Sequence, residues 1–127
     1  MENVPSSAPT LRANWLSITG SVRDHNEDAI GIYESSPASF FVLCDGVGGA
    51  EASAIALESL MRYVDGSVTV YYGAKADASE FSDLLQSAAM QAHDAVRARR
   101  DEQGLRGTMA TTLTLYIGVW PTYYLLQ

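Results

Sequence analysis

Cysteine is nearly absent from this chain. Cys44 stands alone, so no disulfide can form within it. That excludes the small disulfide-stapled folds and points to a reducing, cytoplasmic setting. Positive charge is also scarce: eight Lys and Arg stand against fifteen Asp and Glu, a net charge of -7. Nucleic acids and anionic membranes bind through a surplus of Lys and Arg, so neither is an expected partner, whereas cations are. No apolar run approaches the ~18 residues of a membrane-spanning helix. The opening MENVPSSAPTLR has no apolar h-region, so no signal peptide is visible. Internal repeats and low-complexity tracts are missing too. What is present is 47% hydrophobic residues in a chain of 127, enough to bury the core of one domain.

Residues 1–13 read as a flexible N-terminal arm and 14–127 as the folded part. NWLSITG (14–20) is a candidate strand. Residues 28–34 and 39–44 alternate or run apolar around SSPAS and predict a hairpin. EASAIALESLMRYVDG has Ala52, Ile55, Ala56, Ser59, Leu60 and Tyr63 at helical spacing, with Gly66 as a natural stop. SVTVYYGAKADA (67–78) suits either a strand or a link. A second helix is expected from an N-cap at Ser79 to Gly104, with Phe81, Leu84, Leu85, Ala88, Ala92 and Val96 on one face. Residues 111–119 and 122–127 predict a second hairpin. Strands, two helices, then strands suit an α/β (α+β) domain with helices packed on an antiparallel sheet.

Two segments could carry chemistry, RDHNEDA (23–29) and CDGVGG (44–49). Taken singly, an Asp-Gly pair at a strand end is most often a turn. Glu27–Asp28 would ordinarily be solvated surface, and Arg23 a surface charge. His25 and His93 have no partners at zinc spacing. The RARR run at 97–100 suits cations at a helix C-terminus. The first hairpin joins the two segments. Asp28 opens its first strand and Asp45 closes its second, so both fall at one end of the sheet. Oxygen ligands without thiolate or imidazole suit Mg²⁺ or Mn²⁺, and a planar Arg23 beside them suits a bidentate phosphate contact.

SVRDHNEDA, FFVLCDGVGG, EAS and RGTMATTL, in that order, resemble the metal-dependent protein phosphatases of the 2C type, the PPM family. The resemblance runs from residue 17 to 127. It implies a β-sandwich flanked by helices, of which this chain holds the first half. It implies hydrolysis of phosphoserine and phosphothreonine in proteins by a metal-bridged water, with two Mn²⁺ or Mg²⁺ ions. By the same resemblance Asp45 bridges the two ions, and Gly46 offers its backbone carbonyl to one of them. Glu27 and Asp28 order metal-bound waters, and Arg23 holds the substrate phosphate.

Three departures qualify the match. Ala50 leads straight from DGVGG into EAS, where the family has a small loop. Ala110 replaces a Gly, which is tolerable where φ is not positive. The family's later aspartate ligands do not appear. The expectation is an incomplete domain, inactive alone, that self-associates through an unpaired sheet edge. It would leave several of Leu113, Leu115, Ile117, Tyr123, Leu125 and Leu126 in solvent. The rival readings are a non-catalytic remnant that binds a partner or a metal, and a small module alike only by chance.

Overall fold

The apolar run in ASFFVLCDGV builds an inner strand of a sheet. The computed structural model describes residues 12–35, 38–73, 75–104, 109–119 and 121–127. Residues 1–11 of the expected arm and Arg106 to Thr108 of the RGTMATTL stretch lie outside this set. β1 (Asp28–Ser35) and β2 (Ala38–Val47) form the predicted hairpin, antiparallel, with Asp28 opposite Asp45. Chain order continues with α1 (Ala50–Gly73), α2 (Ala78–Glu102), β3 (Ala110–Thr111), β4 (Thr114–Val119) and β5 (Thr122–Leu126). β4 and β5 are the second predicted hairpin. β2 pairs with both β1 and β4, giving the order β1-β2-β4-β5, and the short β3 joins the end of β2.

Strand side chains alternate between faces, so β2 sends Phe40, Val42 and Cys44 to one side. Their partners on β4, Ile117 and Leu115, point the same way. All five are buried, and both helices cover that face. α1 contributes Ala52, Ala56, Leu60 and Val64; α2 contributes Phe81, Leu84, Leu85, Ala88, Ala92 and Val96. The α2 face is the one predicted from periodicity. Gly31 lets α1 approach β1: a Cβ there would stand 2.6 Å from Leu57 Cδ1 and 2.8 Å from Met61 Sδ.

Four expectations need correction. NWLSITG forms no strand; residues 12–20 are irregular and Trp15, Leu16 and Ile18 are exposed. Too little of its apolar surface finds a neighbour to fix it in the sheet. The first helix does not stop at Gly66 but runs on to Gly73. An exposed mid-helix glycine costs only ~1 kcal/mol, which packing of the rest of the helix outweighs. This also resolves 67–73 as helix. The α2 N-cap is Asp77, not Ser79: its side chain accepts from Glu80 N at 3.0 Å while Glu80 Oε2 accepts from Asp77 N at 2.7 Å. That reciprocal pair satisfies two otherwise orphan donors, which Ser79 at the next turn position does not. Finally, Leu115 and Ile117 are not left in solvent but lie fully buried under the helices. Tyr123 and Leu125, whose side chains alternate to the opposite face, are the exposed ones.

Candidate metal and phosphate site

Register, not proximity in sequence, assembles the candidate site. Because Asp28 and Asp45 are opposite each other across the hairpin, their carboxylates leave the sheet on the same face and at the same end. An open cavity of ≈ 260 Å³ lies there. Arg23, Glu27, Asp28, Asp45 and Gly46 all line it, together with Ile18, Thr19, His25 and Asn26. The sequence thus brings every candidate residue to one place. Arg23 makes no ion pair with a described residue, and it and both aspartates are exposed.

The backbone around the cavity is tightly held. Gly46 N donates to Glu27 O at 3.1 Å. Ser53, buried at the start of α1, donates its hydroxyl to the same carbonyl at 2.5 Å. A Cβ on Gly46 would fall 2.6 Å from Glu27 O and 3.0 Å from Gly49 O, so only glycine fits. Gly48 and Gly49 then take positive φ, 84° and 124°, and α1 begins at Ala50 without a further loop. On the other flank Thr112 clamps Asp45: its hydroxyl accepts from Asp45 N at 3.1 Å, and its N–H donates to Asp45 O at 2.8 Å. Asn26 Oδ1 accepts from Asp28 N at 3.0 Å, and its amide donates to Ser17 Oγ at 2.6 Å. Ala110, in β3, does not have positive φ, so its replacement of glycine is without backbone strain.

Ser53, Thr112 and Asn26 were not singled out from the sequence as site residues. Ser53 and Thr112 lie inside the EAS and TTL stretches, but their contacts reach 26 and 67 residues along the chain. Asn26 alone had a local signal, an Asx-type contact two residues on. His25 has no partners at zinc spacing, yet it lines the cavity.

The donors are all oxygen, which fits a hard divalent cation in kind. In number they are few: among the described residues, no three Asp, Glu, His or Cys side chains converge as a metal site. A second concavity of ≈ 320 Å³, bounded by Ala92, His93, Val96, Arg97, Met109 and Leu113, has no carboxylate in its described lining.

An antiparallel sheet backed on one face by two helices makes this a mixed α/β protein, and two solved structures show its fold to be PPM-phosphatase-like. Among solved structures it is similar to the PPM Ser-Thr phosphatase MsPP from Mycobacterium smegmatis, solved in complex with cacodylate. The TM-score is 0.61 and the identity 28%, over 86% of this chain and 40% of that one. It is also similar to the Mycobacterium tuberculosis serine/threonine phosphatase PstP/Ppp, with TM-score 0.60 and 23% identity, over 87% of this chain and 43% of that one. The chain therefore spans less than half the length of these two structures. No protein-family model matches the sequence, and no curated protein matches it.

Proposed function

We propose that this chain carries the phosphate-gripping and metal-bridging part of a metal-dependent protein serine/threonine phosphatase site. One observation carries the reading: Arg23, Glu27, Asp28, Asp45 and Gly46 line one cavity in a fold similar to that of MsPP. Asp45 would hold two Mn²⁺ or Mg²⁺ ions through its carboxylate, with the Gly46 carbonyl on one of them. Glu27 and Asp28 would orient their waters. Bound divalent ions acidify a water and neutralise charge on phosphoryl oxygens. Arg23 would hold the phosphate of a phosphoserine or phosphothreonine by paired N–H donors. Asp28 and Asp45, fixed by the hairpin and by Thr112, would keep their carboxylates aimed at the cavity without rearrangement.

Two divalent ions carry four positive charges, and three carboxylates at most answer them. The 127-residue chain is therefore proposed to bind Mn²⁺ weakly and to be inactive alone. It would reside in the cytoplasm, away from membranes and nucleic acid. Calorimetric titration with Mn²⁺ should show weak binding that Asp45→Asn abolishes. Hydrolysis of p-nitrophenyl phosphate should stay at background. In the presence of Mn²⁺, Arg23→Ala should weaken inorganic phosphate binding by about tenfold or more, from ~1.5–3 kcal/mol for a charge-assisted bidentate contact. Arg23→Lys should recover only part of it, since the planar fork is lost. Mn²⁺-dependent turnover that survives Asp45→Asn would remove this cavity from the chemistry. The scarcity of converging ligands favours one second reading, a non-catalytic module that binds a metal or a partner through the same cavity. Phosphate binding that is independent of both Mn²⁺ and Arg23 would support it.

A further inference from the structure

One peptide group joins the two members of the acidic pair, Glu27 and Asp28. Each of its polar atoms is held by a side chain from outside the strands. Its carbonyl, Glu27 O, accepts from the Ser53 hydroxyl at 2.5 Å, as well as from Gly46 N at 3.1 Å. A trans peptide sends its N–H the opposite way. That N–H, on Asp28, therefore faces away from β2, and it donates to Asn26 Oδ1 at 3.0 Å. Asn26 is fixed in turn, because its amide donates to Ser17 Oγ at 2.6 Å. Among the described residues Ser53 is the one polar side chain that is fully buried, 1% exposed. Its hydroxyl also lies 3.0 Å from Ala50 O, in its own helix. A hydroxyl has one proton to give, and the shorter contact directs it to Glu27. A bond kept within the first turn of α1 would not reach a partner 26 residues away.

We infer that Ser53 and Asn26 are positioning residues, which lock this peptide and so aim the Glu27 and Asp28 carboxylates into the cavity. The inference rests on the proposed reading of that cavity as a divalent-metal site. Because a peptide is planar, its rotation changes ψ of the residue before it and φ of the residue after it together. One rocking motion therefore swings both carboxylates. Electrostatics supplies a force for that motion. Asp28 stands directly opposite Asp45 across the hairpin, and like charges so placed repel. Until a cation lies between them, the repulsion pushes Asp28 out of line. Ser53 on one side and Asn26 on the other hold the peptide against it, so the ligands need not be gathered when an ion arrives. Ser53 also ties the peptide to α1, whose first turn follows directly on Gly48 and Gly49.

Calorimetric titration with Mn²⁺, together with amide exchange read by NMR on the metal-free chain, tests the lock. Ser53→Ala and Asn26→Ala should each weaken Mn²⁺ binding by about tenfold or more, as loss of a group that orients metal ligands does. Asp77→Ala, at the opposite end of α2 from the Arg99–Glu51 contact, loses a helix cap without touching the peptide and should bind as the wild type does. Because the two side chains hold one peptide, their losses should not add: the double variant should bind within about threefold of the weaker single one. In the metal-free chain Ser53→Ala should quicken exchange of the Asp28 amide, which Ser53 does not touch. Should Ser53→Ala fail to fold, Asn26→Ala measured against Asp77→Ala decides. A wild-type chain that binds no Mn²⁺ removes the metal reading, and this inference with it. A wild type that binds Mn²⁺, with both variants binding equally well or with losses that add in full, overturns the lock alone.

Discussion

At the scale of single residues, Gly46 and Cys44 show how position sets chemistry. Gly46 is crowded by the Glu27 carbonyl on one side and the Gly49 carbonyl on the other, both backbone groups that cannot swing away. Gly46→Ala must therefore push β1 and β2 apart at the site. The expected loss is ~1–3 kcal/mol in urea unfolding, together with loss of Mn²⁺ binding. Wild-type stability and binding in the variant would mean that the end of the hairpin can open freely. Cys44, on the buried face of the same strand, is fully enclosed. Burial pushes its thiol from 9.0 up to about 11. The folded protein keeps this proton while the unfolded chain loses it, so stability is unaffected below about pH 9 and falls as pH rises toward about 11. Thermal unfolding across that range should show the decline, and Cys44→Ala should flatten it. Ellman's reagent should react with Cys44 only as fast as the protein opens.

Among the elements, α2 allows local and tertiary contributions to be compared. Its start is fixed by the Asp77–Glu80 capping pair, which is exposed, and its face by side chains such as Leu84, which is fully buried. Asp77→Ala should cost ~0.5–2 kcal/mol. Leu84→Ala should cost ~2–5 kcal/mol, because it leaves a cavity in the core as well as losing apolar burial. Denaturant midpoints of the two variants should fall in that order, and the reverse order would mean that α2 is held by its end and not by its face. The RARR run adds a tie that its C-terminal placement did not foretell. Arg99 bonds Glu51 at the start of α1 at 2.7 Å, and Gln103 bonds the same carboxylate at 3.1 Å. The pairing brings the last turn of α2 to the first turn of α1, next to the glycines that leave the site.

The whole molecule is asymmetric in a way that links stability to the site. One face of the sheet is closed by the helices and the other is open, and the candidate cavity lies where the outward-facing Asp28 and Asp45 end the open face. Whatever covers that face also bounds the cavity on its sheet side. Leu43→Lys, which sets a positive charge on that face two residues from Asp45, should therefore weaken Mn²⁺ binding in calorimetric titration.

The sequence by itself determined the elements whose signals are local. Alternation in β1, the apolar run of β2, the β4–β5 hairpin and the 3.6-residue apolar face of α2 are all written within short windows, and each element formed where it was read. So was the meeting of Asp28 and Asp45, because a hairpin's register is set by its turn and by which residues must face the core. Tertiary structure decided what depends on partners far along the chain. NWLSITG has the composition of a strand but no strand beside it. Gly66 reads as a stop, yet a helix packed against a sheet carries one exposed glycine through. Ser53 and Thr112 become site residues only because folding carries them to Glu27 and Asp45, contacts that no local pattern encodes. The choice of which hairpin face is buried belongs to the same class: both faces of β4 and β5 are apolar, and only the seating of α1 and α2 on one of them leaves Leu115 and Ile117 dry and Tyr123 and Leu125 wet.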